Sequence, residues 1–322
     1  MYGYDVLHET LAENLIKSVR NRTHSHAYIF EGERGVGSLE AARLFAAAMV
    51  CTGNSPPCGT CAACIMAKAE THPDISFVKP SETKKNITID VIRDVAKDAY
   101  TKPYESEKKV YIICEEMNEQ AQNAFLKMLE EPPEYAVFII LSENNETFLN
   151  TIRSRCTIIH FPPVSADKIK KQLVKEYPNM GEQLDFASRF CGGVIEKAKK
   201  ILEDDNFIPL REKALEKLVT LFSKKTSDAY EIVDFLEENK DFADSIFEFW
   251  QSYVRDIMLI QNEARNLIVN IDMTDKLCQM AIRFEEYAVA DAIEQIITAQ
   301  KMRKRYVNFR ALALRLAFNI NK

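Results

Sequence analysis

Residues 32–39 read GERGVGSL. A nucleotide-holding phosphate loop reads GxxxxGKS or GxxxxGKT. Its backbone N–H groups cradle the phosphates, its Lys reaches the β- and γ-phosphates, and its hydroxyl holds Mg²⁺. Gly32, Gly35 and Gly37 keep the turn-forming frame, but Ser38 stands where the Lys belongs and Leu39 where the hydroxyl belongs. The frame of an ATPase is present without the groups that hold ATP. A second chemical cluster follows at once. Cys51, Cys58, Cys61 and Cys64 are spaced C-x6-C-x2-C-x2-C and account for half of the 8 cysteines. Four thiolates at this spacing can close on one tetrahedral Zn²⁺, with Pro56, Pro57 and Gly59 supplying the turns. Such a site has no open coordination position, so it is structural rather than catalytic. The rival is an iron–sulfur cluster, because Cys58, Cys61 and Cys64 match the start of a C-x2-C-x2-C-x3-C run, in which Lys68 replaces the last cysteine. The third candidate is Arg155, in LNTIRSRC at 149–156. An Arg at the edge of a phosphate-loop sheet can leave its own subunit and act as an arginine finger on a neighbour's γ-phosphate. The competing reading is a surface Arg paired with a local acid.

The elements that position these groups alternate. Residues 5–20 have helical apolar spacing, 27–30 read as a buried strand, and 39–50 as an Ala-rich helix. Strand, Gly loop and helix is the context that a phosphate loop requires. Val110–Cys114 is a second strand. Aligning Glu115 with the catalytic glutamate of ATPases places Cys114 at the Mg²⁺-binding Asp, and a neutral thiol is a poor ligand for that hard ion. An amphipathic helix over 119–131 stops at Pro132-Pro133. Strands at 136–141 and 157–161 complete a parallel sheet of α/β type. After Pro162-Pro163 no further strand is predicted. Short helices surround Cys191-Gly192-Gly193, and long amphipathic helices run from about 207 to the end. The last of these, read as one helix over 298–322, carries Lys301, Arg303, Lys304, Arg305, Arg310, Arg315 and Lys322 and no acid. It reads as a solvated face, or else as a subunit or DNA contact.

Bulk properties narrow the classes. The 322 residues are 28% charged and 47% hydrophobic, enough for two or three domains. No apolar run is long enough to span a membrane, and the N-terminus has no signal-peptide h-region. A net charge of −6 argues against general polyanion binding, so any nucleic-acid contact is local or shared with partners. Eight cysteines without an export signal fit a reducing compartment. None of the 5 histidines forms a metal-ligand pair, and His26 and His72 read as structural, like Cys191 and Cys278.

HAYIFEGERGVGS, the four-cysteine segment, THPDI, QNAFLKMLEEPP and TIRSRC occur in that order. In this the chain resembles the delta-prime subunits of bacterial DNA polymerase III clamp loaders. The resemblance is strong over 1–161 and weaker beyond. It implies an AAA+ P-loop core with a parallel sheet at 1–161, carrying a zinc module at about 51–64. A helical lid at 162–205 and an all-α collar at 206–322 follow. It implies a cytoplasmic bacterial subunit that binds no ATP of its own and sits at one end of a five-membered ring with gamma/tau ATPase subunits and delta. There Arg155 completes a neighbour's ATP site, and the sliding clamp and primer–template DNA are met through the complex. Active relatives carry a nucleotide-sensing Arg in a Gly-x-x-Arg context. Here that position falls on Glu196, whose carboxylate repels phosphate, while Ser142 matches a polar sensor position at a strand end. Two other readings are a residual ATPase with a non-standard loop, and a zinc-containing nucleic-acid-binding protein. The first lacks the cation that neutralises phosphate. The second lacks, within 51–64, the interleaved aromatic and basic residues of a stacking platform.

Overall fold

The computed structural model describes residues 7–82, 84–222, 225–305 and 308–320, and these form two compact units. One runs to Gln172 and takes in Gly192–Lys197. The other holds Leu173–Cys191 and the described residues from Ala198 onward. In chain order the first contains α1 (Glu9–Arg20), β1 (Ala27–Glu31), α2 (Ser38–Val50), α3 (Ala62–Lys68), β2 (Ile75–Val78) and α4 (Ile89–Ala99). It continues with β3 (Lys109–Ile113), α5 (Glu119–Glu130), β4 (Ala136–Ser142), α6 (Asn150–Arg153) and β5 (Thr157–His160).

The five strands are parallel, in the order β2-β3-β4-β1-β5. β3 is buried at every residue and β1 at all but its last, which is why they read as unbroken apolar runs rather than alternating ones. α2 is buried almost all round, so its small alanines let the helix lie close to its neighbours. α5 begins where the Asn118 side chain accepts the Ala121 N–H (2.9 Å), and it ends just before Pro132.

Two expectations are corrected here. The sequence predicted four strands, and the sheet has a fifth, β2. It is a four-residue edge strand whose middle, Ser76 and Phe77, is only half-buried, and Ser76 breaks the apolar run. It is fixed from outside: buried Asp74 accepts the N–H groups of Tyr104, Glu105 and Ser106 (2.6, 2.9 and 2.9 Å), while its own carbonyl accepts from Val110 N (2.8 Å). His72, also buried, accepts the Asp74 N–H on Nδ1 (3.1 Å), a structural role as expected.

The second unit is all-helical among its described residues. It is built from the end of α7 (Ala166–Glu176), α8 (Gly181–Phe190), most of α9 (Ile195–Glu203), α10 (Phe207–Leu221), α11 (Thr226–Glu238) and α12 (Ala243–Gln261). α13 (Thr274–Arg283), α14 (Glu286–Arg303) and α15 (Phe309–Ile320) complete it. The single basic helix predicted over 298–322 is therefore two. α14 ends at Arg303, and the Asn308 side chain starts α15 by accepting the Ala311 N–H (3.1 Å). Lys322 lies outside the described residues, as do residues 5 and 6 of the first predicted helix. Several of the basic side chains have local partners: Arg303 pairs with Asp244 (3.4 Å) and Arg310 with Glu237 (2.6 Å).

The core of this unit is centred on Trp250, whose indole N–H donates to the Ala214 carbonyl (2.7 Å). In the same unit Arg211, 2% exposed, is held by Asp272 (2.7 and 3.0 Å) and by Asn270 Oδ1 (2.8 Å), with its guanidinium 3.8 Å from the ring centroid of Phe186. Arg211→Ala removes the cation and leaves Asp272 and Asn270 without it, which costs about 3 kcal/mol. Urea denaturation should show this loss. Retention of the wild-type midpoint would contradict it.

Candidate functional site

The C-terminal ends of β1, β3 and β4 lie side by side, where open α/β sheets hold their ligands. The glycine loop leaves β1 here and is stitched to β4 by the Gly32 N–H on the Ser142 carbonyl (2.9 Å). Gly35 (φ +85°) and Gly37 (φ +107°) both have left-handed backbone, which favours glycine, and Gly37 is the N-cap of α2. Ser38, the Lys position, is buried as the first residue of α2. The frame of a phosphate loop is therefore retained in shape.

Around that frame, three groups occupy what a nucleotide needs. Glu196 packs directly on Gly35: a Cβ on that glycine would lie 2.7 Å from Glu196 Cβ and 2.9 Å from its Oε2. A carboxylate so close to the loop sets negative charge where phosphate would come. Arg34, within the loop, grips Glu115 through both guanidinium nitrogens (2.6 and 3.4 Å), so the position aligned with a catalytic glutamate is spent on an ion pair. Ser142 folds back into its own turn. Its hydroxyl donates to the Asn144 carbonyl (3.0 Å) and accepts the Asn144 N–H (3.2 Å). Cys114 stays a thiol, because burial pushes its pKa up. On the other side of the loop His8 Nε2 lies 3.1 Å from the Val36 carbonyl, and its ring stands edge-on to Phe161 (5.2 Å). Burial lowers the His8 pKa, so the neutral imidazole donates this bond. A cavity of about 900 Å³, lined by Gly35, Ser38, Leu39, Cys114, Ser142 and Glu196 among others, remains between the loop and the strand ends. The sequence placed Ser38, Leu39, Cys114, Ser142 and Glu196 here. The His8 contact and the Arg34–Glu115 pair left no signal in it, since their partners are 28 and 81 residues apart.

Arg155 lies away from that cavity's lining, in the turn between α6 and the edge strand β5. Its side chain is 37% exposed and makes three polar contacts among the described residues. Nη1 donates to the Thr151 carbonyl (3.0 Å) and to Ser154 Oγ (3.4 Å), while Nη2 pairs with Glu130 Oε1 (3.1 Å). The neighbouring Cys156 thiol is pushed up to about 12 by burial, which makes it inert.

The four cysteines converge between α2 and α3. Cys51 closes α2, Cys61 is the N-cap of α3, and Gly59 turns the chain between them with φ +76°. All four sulfurs lie within 4.8 Å of one another, with Cys51–Cys61 at 3.9 Å and Cys58–Cys64 at 4.0 Å. A tetrahedron with Zn–S bonds of about 2.3 Å has sulfur–sulfur edges of about 3.8 Å, so these ligands fit one four-coordinate ion. An iron–sulfur cluster places several metal and sulfide atoms between its cysteines, and the spacing here is too tight for that. Backbone N–H groups of Gly53, Cys58, Cys61 and Cys64 point at the sulfurs (3.3–3.4 Å), as suits thiolates.

Known proteins match the chain along most of its length. The family model described as DNA polymerase III, delta subunit, matches residues 7–165, and that described as DNA polymerase III, delta subunit, C terminal, matches 205–318. The DNA polymerase III subunit delta' of Bacillus subtilis is 28% identical over 307 residues, covering 92% of this chain and 91% of that protein. The delta' subunit of Pseudomonas aeruginosa is 36% identical over 53% of each chain. The B. subtilis subunit tau is 31% identical over 78% of this chain and 48% of its own length. The strand order and the loop after β1 are those of an AAA+ core, followed by an all-α region. With the two models together spanning most of the sequence and a delta' subunit aligned along nearly all of it, the chain belongs to the delta-prime family of DNA polymerase III subunits.

Proposed function

We propose that this chain is a non-hydrolysing clamp-loader subunit, which lends Arg155 to the ATP site of a neighbouring gamma/tau-type ATPase subunit. The observation that carries the reading is the Glu196 carboxylate seated on Gly35 of a loop that already lacks its lysine. With a serine in place of the lysine, the Glu196 carboxylate on Gly35 and the loop's own Arg34 paired with Glu115, the loop serves as a scaffold at the sheet edge. The inward-turned Ser142 supports the same view. Arg155 is then the residue through which the chain takes part in hydrolysis. A guanidinium fixed at a turn, with one edge exchangeable, suits a transferring phosphoryl group.

In this reading residues 162–205 act as a lid and 206–322 as the collar that holds the ring of five together. The delta subunit, the sliding clamp and primer–template DNA are met within the cytoplasmic replication complex. No described helix is long and apolar enough to cross a membrane. Cys51, Cys58, Cys61 and Cys64 would hold a structural zinc ion, which supplies a cross-link and no open coordination position.

Titrating MgATP into the purified chain tests the loss of nucleotide binding. Affinity is expected to be weaker than a Kd of about 1 mM. The Ser38→Lys, Leu39→Thr double variant should gain little, because Glu196 remains, while adding Glu196→Arg should help. Micromolar binding by the unaltered chain would revive the residual-ATPase reading.

A further inference from the structure

The acid that meets Arg155 has an uncomfortable position of its own. Glu130 is the last residue of α5, and Glu131 follows it. Carbonyl groups left without partners make a helix C-terminus negative, so a carboxylate there is disfavoured unless a cation lies beside it. Lys127 stands in the same last turn, and the cation in contact with the carboxylate is Arg155, with Nη2 3.1 Å from Glu130 Oε1. The two ends of the guanidinium are held differently. Nη1 is fixed to the residues of its own turn, the Thr151 carbonyl and Ser154 Oγ, whereas the polar partner of Nη2 among the described residues is an exposed carboxylate on another element. Glu130 is 54% exposed at its side chain, and exposed ion pairs of this kind are weak enough to exchange.

We infer that Glu130 is a placeholder anion for Arg155: it holds the Nη2 edge of the guanidinium in the free chain and gives that edge up to a phosphate oxygen presented by a neighbouring subunit. This inference rests on the reading of Arg155 as a finger acting in trans. A carboxylate and a phosphate offer the same fork to a guanidinium, so the exchange needs no rebuilding of the turn. The Nη1 contacts persist through it and fix the direction in which the finger points. Glu130 thus competes with the phosphate, and its removal should strengthen the contact between subunits rather than weaken it.

The test is the affinity of the full chain for a gamma/tau ATPase subunit loaded with ATPγS or with ADP. Arg155→Ala should weaken the ATPγS complex by about tenfold or more, as loss of a charged hydrogen bond does, and leave the ADP complex alone. Glu130→Gln should tighten the ATPγS complex by about two- to fivefold, the range set by exposed ion pairs. It should leave the ADP complex unchanged and have no effect in the Arg155→Ala background. Because Glu130 is exposed, the variant is expected to fold, and circular dichroism confirms that. If Arg155→Ala discriminates between the nucleotides but Glu130→Gln does not tighten the ATPγS complex, or shifts both complexes alike, the placeholder role is overturned and the finger stands. If Arg155→Ala weakens neither complex, the finger falls, and the role of Glu130 falls with it.

Discussion

Arg155→Ala is expected to lower ATP hydrolysis at one site of the reconstituted complex by about 10³–10⁵, the loss typical of removing an arginine finger. The chain itself should stay folded. Arg155 is partly exposed, and its contacts are two local hydrogen bonds and one surface ion pair, which together contribute little to stability. Assembly should also survive, so the defect would appear in a complex of normal composition. Summed over the complex, DNA-stimulated hydrolysis falls by less, because the other sites keep their own fingers. Arg155→Lys should not rescue, since a point charge does not reproduce the planar fork of donors. Unchanged steady-state and single-turnover hydrolysis in a fully assembled complex would contradict the role.

Removing the metal is expected to have the largest effect on stability. α3 has seven residues, too few to hold as an isolated helix. It is kept in place by its packing on α2 through buried Ala63, Cys64 and Ala67, and by the four sulfurs. The loop before it is tied to α1 by Arg20 Nε on the Pro56 carbonyl (2.8 Å). Structural zinc contributes roughly 10–16 kcal/mol in isolated peptides, and even a third of that lowers Tm by roughly 10 °C in a domain of this size. Cys61→Ser, or treatment with a strong chelator, should therefore lower Tm by about that amount. Elemental analysis of the untreated protein should find one zinc per chain in a colourless sample. A brown protein with an absorption near 400 nm, or an unchanged Tm after complete chelation, would contradict the zinc site.

Much of this is legible in the sequence, for reasons particular to each element. The buried strands around the glycine loop are unbroken apolar runs because helices cover both faces of the sheet, so their sequence carries the signal by itself. The four cysteines were legible because their ligand atoms come from one short segment. What escaped the sequence was set by distant partners. Ile75–Val78 is a strand largely because Asp74 anchors the 104–106 turn beside it, a contact across some thirty residues. The break between α14 and α15 involves neither Pro nor Gly, and a capping Asn308 at the start of α15 leaves little mark on a helical pattern. Glu130 carries no signal of its own in LEEPP, because its contact with Arg155 comes from an element 25 residues further along the chain. Glu196 is an intermediate case: its position was reached through the family resemblance, and the geometry adds that it rests on Gly35 itself.

The measurement that most directly tests the central claim is a structure of the reconstituted complex bound to DNA and a non-hydrolysable ATP analogue. The account predicts an Arg155 guanidinium nitrogen about 3 Å from a γ-phosphate oxygen held by a different subunit. It also predicts Glu130 released from Arg155, and no nucleotide on residues 32–39. Nucleotide seated in this chain's own glycine loop, or Arg155 still paired with Glu130 and remote from every phosphate, would contradict it.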